Sequence, residues 1–132
     1  MRVGLVGCGA IGELRARALD GKRGGPRLTA VTDVDSSRAR ELASRFRVRA
    51  FASAAEMFGS GELDAVVVST PPAAHNESVL AALASGLAVL CEKPLAPDPA
   101  SARGMVEAAR RAGRPFHCGF NHRFFQIGRA HV

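Results

Sequence analysis

Three glycines, an aspartate and a sparingly used lysine carry the residue types and spacing that suggest chemistry. Gly7, Gly9 and Gly12 spell G-x-G-x-x-G directly after the apolar residues 3–6, with helical spacing beginning at once behind them. In that setting Gly7 permits a tight turn, Gly9 lets backbone approach a pyrophosphate, and Gly12 lets the helix lie close to the strand. Cys8, Ala10 and Ile11 fill the variable positions of the same loop. A pyrophosphate would rest at the helix N-terminus, where unpaired N–H groups and the helix dipole favour negative charge. Asp33 follows a second apolar run, residues 28–31, twenty-one positions after Gly12 (33 − 12). A carboxylate there can accept from a ribose 2′-hydroxyl and repels a 2′-phosphate, so NAD is the expected cofactor. Arg38, five residues on, moderates that repulsion and keeps NADP within reach. A bare G-x-G-x-x-G can be only a turn; the strand before it, the helix behind it and the acidic residue make it a cofactor loop.

The chain uses sixteen arginines and two lysines. A lysine kept at a strand end and followed by Pro94 therefore suggests a compact, titratable amine rather than generic positive charge. Beside a nicotinamide, Lys93 could polarise a substrate oxygen or help move its proton. From position alone a solvated loop lysine is an equal reading. His75, four positions after Pro71, faces either the nicotinamide or solvent at a helix start, and unaided the solvent reading is the simpler one.

Such residues need strands to hold them at one edge. Residues 3–6, 28–33, 48–51, 64–69, 87–91 and 116–119 read as strands, the fourth with three consecutive valines, as a central parallel strand should have. Between them, apolar residues recur at helical spacing: Ile11, Leu14, Ala18 and Leu19; Ala39, Leu42, Ala43 and Phe46; Val79, Leu80 and Leu83; Ala102, Met105, Val106 and Ala109. Residues 53–57 read as a brief further helix. Asp35 or Ser36, and Asp98 ahead of Pro99, are capping signals, while Gly86 and Gly113 mark helix ends. Six strands alternating with helices predict an α/β fold, a doubly wound parallel Rossmann sheet in the order 3-2-1-4-5-6 with helices on both faces. Ligands of such sheets bind beyond the carboxyl ends of the strands at the switch point, here between strands one and four. Those ends carry the glycine loop and Thr70-Pro71-Pro72, with Glu92-Lys93-Pro94 next along. Thr70, Pro71, Pro72 and Glu92 thereby join the expected cofactor site.

At 132 residues, 47% hydrophobic and 23% charged, the chain matches one globular domain. No run of apolar residues is long enough to span a bilayer, and strand-like sequence from residue 2 leaves no signal peptide, so the cytoplasm is the expected compartment. The net charge of +6 raises nucleic acid as a partner. The excess lies in residues 1–50, with eleven Lys and Arg against five Asp and Glu; the remainder carries seven of each. Arg38, Arg40 and Arg45 lie off the apolar stripe of their helix, and with no Trp or Tyr there is no stacking platform, so no nucleic acid is expected. Cys8, Cys91 and Cys118 show neither a disulfide framework nor C-x-x-C spacing, and Cys8 and Cys91 read as small buried hydrophobes. His117 beside Cys118 has no further ligand at fixed spacing, so no metal is expected.

Residues 7–12, the segment Thr70-Pro71-Pro72-Ala73-Ala74-His75 and Glu92-Lys93-Pro94-Leu95 together resemble the Gfo/Idh/MocA family of oxidoreductases, from residue 1 to roughly residue 125. The resemblance implies oxidation or reduction of sugars, inositols and related polyols with NAD or NADP, with Lys93 at the reaction centre and Glu92 its motif neighbour. Residues 119–124 resemble the segment that leaves the cofactor domain along the substrate side, which makes Asn121, His122 and Arg123 weaker substrate-side candidates. Family members continue into an α/β domain with an open, mostly antiparallel sheet, which supplies substrate contacts and an acid/base Asp or His. They often self-associate through it, which implies a homo-oligomeric parent protein. The present chain lacks that domain, so alone it is expected to bind cofactor and catalyse little. The expected organisation is a cofactor domain at residues 1–119, the start of a connection to the substrate domain at 120–126, and a non-native tail at 127–132. That tail, Ile127-Gly128-Arg129-Ala130-His131-Val132, is what the string ATC-GGA-AGA-GCA-CAC-GTC would encode, and that string looks like a common short-read sequencing adapter. The alternative function is a stand-alone dinucleotide-sensing module without catalysis.

Overall fold

The computed structural model describes residues 1–20 and 23–119. Six strands, β1 (Arg2–Val6), β2 (Arg27–Thr32), β3 (Arg49–Ala50), β4 (Ala65–Val68), β5 (Ala88–Glu92) and β6 (Phe116–Gly119), form one sheet in the order β3-β2-β1-β4-β5-β6. Every pairing is parallel, and the order is the one expected from the sequence. Val6, Val68, Cys91 and Cys118 stand level across four adjacent strands, so their carboxyl ends open along one edge.

The three valines of β4 show why this strand is central. Val66 and Val68 join one apolar cluster, whereas Val67 joins the other on the opposite face. Two helices, α1 (Ala10–Leu19) and α2 (Ser36–Phe46), cover the face of Val67 with Ala16, Ala39, Leu42 and Ala43. Three others, α3 (Ala54–Gly59), α4 (His75–Ala84) and α5 (Pro99–Ala112), cover the second face with Met57, Phe58, Val79, Leu83, Met105 and Ala109. Each full burial of a Leu or Met side chain contributes about 1.5–3 kcal/mol, and the core is continuous on both sides. Caps fix where helices start: Asp35, rather than Ser36, accepts from the Ser37 and Arg38 N–H groups, Ser53 from Glu56, and Asp98 from Ser101.

Helix rotation differs from the apolar spacing in three places. On α1, Ile11 and Leu14 are 49% and 55% exposed, while Gly12 and Ala16 turn inward. The close approach at Gly12 sets the rotation, and the small side of the helix lies against the sheet. Leu80 on α4 and Val106 on α5 are likewise partly exposed, leaving Val79, Leu83, Met105 and Ala109 as the buried stripes. The third strand is reduced to two residues, and Pro72–Ala74 form a 3-10 turn ahead of α4. No helix among the described residues is long and apolar enough to cross a membrane. The expectations for Asn121, His122, Arg123, the connection at 120–126 and the tail at 127–132 lie outside the described residues.

Candidate functional site

The glycine loop between β1 and α1 is built by close approaches. Gly7 has φ +97°, and a Cβ there would come within 2.7 Å of the Ser69 carbonyl carbon, so β4 seals the turn. At Gly12 a Cβ would fall 1.9 Å from the Gly7 carbonyl oxygen, which only glycine tolerates. Gly9 has no atom of the described residues within 4 Å of the corresponding position, leaving an open cradle above the backbone. Gly9 also begins α1 without a side-chain cap, and Glu13 N–H is bonded back to the Gly9 carbonyl at 2.9 Å. The N–H groups of the first turn therefore face the cradle, the arrangement that suits a pyrophosphate.

Asp33 stands just past β2, against this loop. Its Oδ2 accepts the Cys8 N–H at 2.6 Å and its Oδ1 the Asp35 N–H at 2.8 Å, so both oxygens are oriented by backbone donors and retain lone pairs for hydroxyls. Cys8 is buried, and burial together with the Asp33 charge pushes its thiol up to about 12. An open groove of about 390 Å³ continues between α1 and α2, lined by Cys8, Gly9, Ala10, Arg38, Leu42 and Arg45 among others. Glu13 spans its rim, accepting from Arg17 at 2.8 Å and Arg45 at 2.9 Å, and these bonds hold its carboxyl down at about 2. Arg38 lies 3.8 Å from Asp35 and keeps 62% of its side chain exposed beside the groove.

Beyond β4, the Ser69 and Thr70 hydroxyls are buried without a partner among the described residues. Orphaned polar atoms next to an open cradle and an oriented carboxylate fit a ligand rich in hydroxyl, phosphate and amide groups, as a dinucleotide is. Pro71 and Pro72 lead into the 3-10 turn at this edge. At His75 the structure departs from the solvent-facing reading. The side chain is fully buried, with Nε2 2.7 Å from the Thr70 carbonyl and Nδ1 3.1 Å from the Leu95 carbonyl. Both neighbours are acceptors, so whichever nitrogen carries the hydrogen donates to one of these carbonyls, and the buried ring sits between the β4 and β5 loops.

Glu92 is 7% exposed, and Arg15 Nε donates to its Oε1. A Cβ at Gly119 would lie 3.1 Å from Oε2, so the glycine on β6 gives the second oxygen room without a shift. Lys93 follows directly, exposed, before a cis peptide to Pro94 and outside every ion pair among the described residues. Sequence reasoning missed Arg15 and Ser69. Arg15 lies three residues past Gly12, but only the register of α1 over β5 brings it to Glu92. Among the described residues no cluster of three or more His, Cys, Asp or Glu side chains could hold a metal ion.

Comparison with known proteins agrees with this geometry. The profile of the Gfo/Idh/MocA oxidoreductases, described as an oxidoreductase family with an NAD-binding Rossmann fold, matches residues 1–120. An inositol 2-dehydrogenase of Acidothermus cellulolyticus is 44% identical over 126 residues, covering 94% of this chain and 37% of the relative. A protein of Shouchella clausii named inositol 2-dehydrogenase/D-chiro-inositol 3-dehydrogenase is 42% identical, again covering 94% and 37%. Among solved structures, scyllo-inositol dehydrogenase of Lactobacillus casei with bound NAD(H) and scyllo-inositol superposes with a TM-score of 0.91 at 25% identity, covering 99% of this chain and 39% of that one. The chain thus spans little more than a third of the length of the curated relatives it matches. With strand order, glycine loop and family profile in agreement over residues 1–120, the chain belongs to the Gfo/Idh/MocA oxidoreductase family, with its NAD-binding Rossmann fold.

Proposed function

We propose that this chain is the cofactor domain of a dehydrogenase that transfers hydride between nicotinamide and a carbinol carbon of an inositol or a related polyol or sugar. The observation that carries this reading is the convergence at one sheet edge of the open Gly9 cradle, the oriented Asp33 carboxylate, the orphaned Ser69 and Thr70 hydroxyls and Lys93. The inositol dehydrogenases among the relatives support the substrate class. A bound dinucleotide supplies the hydride acceptor or donor. The backbone of residues 7–12 holds its pyrophosphate, Asp33 its ribose, and Arg38 flanks the groove beside it. Thr70, Pro71 and Pro72 border its nicotinamide half. Lys93 holds or moves the proton of the substrate oxygen.

Residues 120–126 begin a connection to a substrate domain in this reading, with Asn121, His122 and Arg123 on the substrate side, and residues 127–132 are adapter-derived. The whole protein self-associates through the substrate domain and works in the cytoplasm. The rival is a cofactor-sensing module that does no chemistry. In a full-length protein recovered by reading the source DNA past Phe125, Lys93→Met abolishes turnover with myo-inositol and NAD while NADH binding persists. Undiminished turnover in that variant would overturn the role of Lys93, and a native stop codon after Phe125 would favour the sensing module.

A further inference from the structure

Glu92 and Lys93 are adjacent, opposite in charge and placed at the same strand end, yet they do not pair. The carboxylate is turned beneath α1, where Arg15 takes Oε1, and Gly119 gives Oε2 its space. The Arg15 and Glu92 side chains are 23% and 9% exposed, so this contact is partly withdrawn from water and screening is weak. A carboxylate buried to that degree needs a cation or donors, and the one ion-pair partner it has among the described residues is Arg15. Lys93, by contrast, is exposed.

We propose that Arg15 is a positioning residue for Lys93: by holding Glu92 under α1 it keeps the neighbouring carboxylate away from the Lys93 amine. This rests on the reading that Lys93 works at the reaction centre. An amine paired to its own neighbour would be drawn toward that carboxylate and would share its hydrogens with it. An unpaired one is available to a substrate oxygen. Arg15 also sits on the helix that the glycine loop opens, at Gly9. The element that cradles the phosphates is thus the element that holds Glu92, so phosphate binding and the setting of the lysine share one rigid body.

The test uses the scarcity of lysine. Reductive methylation with ¹³C-formaldehyde labels Lys93, Lys22 and the terminal amine, and Lys22→Arg assigns the Lys93 dimethylamine resonance. Arg15→Met is expected to displace that resonance at neutral pH, as the released Glu92 turns to Lys93. Arg15→Lys, which keeps a cation for Glu92, is expected to hold it at the wild-type position. A resonance unmoved in Arg15→Met, or displaced equally in Arg15→Lys, overturns the proposal. If Arg15→Met does not fold, Arg15→Gln replaces it: an uncharged amide holds the carboxylate more weakly than a guanidinium, so a smaller displacement in the same direction is required. The readout needs no turnover, so a failed catalytic role for Lys93 would appear separately, in the activity of the full-length Lys93→Met variant.

Discussion

Asp33 Oδ2 accepts the Cys8 N–H at 2.6 Å, so the carboxylate beyond β2 is bonded directly to the middle of the glycine loop. A bond from N–H to an ionised acceptor is among the stronger kinds, and here it joins the group that would recognise ribose to the backbone that would hold phosphate. The second oxygen is oriented by Asp35 N–H at 2.8 Å, which also places the cap of α2. The groups proposed for ribose and for phosphate therefore share one hydrogen-bonded frame.

Replacing Asp33 with serine removes the charge and shortens the acceptor. NADH affinity is expected to fall while NADPH affinity holds or rises, since the repulsion of a 2′-phosphate is gone and Arg38 stands beside the groove. A change of about tenfold in the ratio of the two dissociation constants corresponds to about 1.4 kcal/mol, a modest demand for one charge. Fluorescence titration of both reduced cofactors measures it directly, helped by the absence of tryptophan. An unchanged ratio would show that Asp33 serves only to brace the loop.

Gly9 and Gly12 sit three residues apart and should fail differently. At Gly12 a Cβ meets the Gly7 carbonyl at 1.9 Å, and since the obstacle is backbone, α1 has to move. Gly12→Ala is expected to cost about 1–3 kcal/mol or more and to lower the melting temperature by several degrees. Gly9→Ala meets no atom of the described residues within 4 Å, and Gly9 has an ordinary φ of −77°, so the fold should tolerate it. Its methyl group would occupy the cradle, weakening NADH binding by about tenfold or more with little change in melting temperature. Equal loss of stability in both variants would contradict the assignment of Gly9 to the ligand and Gly12 to packing.

Much of this was legible because the signals are local. A strand buried on both faces writes itself as consecutive valines, and a glycine loop between strand and helix marks the expected cofactor site, so sheet order and the close approaches at Gly7 and Gly12 agree with the structure. Helix rotation was less legible. The apolar spacing of α1 favoured Ile11 and Leu14, but the contact at Gly12 turned Ala16 inward and left both exposed. His75 and Glu92 carried motif signals, yet where their polar atoms go depends on partners distant in sequence, Leu95 and Arg15. No spacing rule within a segment encodes such contacts between elements.

The thiols should rank by burial. Burial pushes Cys8 and Cys91 up to about 12, the first aided by Asp33 and the second by Cys118 and Glu92, while Cys118 is raised but only half-buried. The thiolate is the nucleophile, so at neutral pH a disulfide reagent should modify Cys118 slowly and the other two only on unfolding. Counting modified thiols with and without denaturant checks this. Prompt reaction of Cys8 in the folded chain would mean that the glycine loop opens more readily than its hydrogen bonds imply.

Glu13 offers a test of how α1 and α2 are held together across the groove. Its carboxyl bonds to Arg45 and Arg17 hold it at about 2, below the ordinary 4.5. A group whose folded value is depressed stabilises the fold above the unfolded value and loses that contribution as pH falls through the folded one. The Glu13 contribution should therefore be complete above pH 4.5, decline below it, and be gone under about pH 2. Because both arginines are exposed and Glu13 is partly so, the contribution should be small and should shrink further in high salt. Asp64 and Asp98 are also lowered, by Arg2 and by the helix start at Ser101, so acid sensitivity of the whole chain cannot be assigned to Glu13 alone. The difference between wild type and Glu13→Gln isolates it. Melting curves of the two should separate at neutral pH in low salt and converge near pH 2. A separation that persists at that pH, or that ignores salt, would show that Glu13 acts by packing rather than by charge.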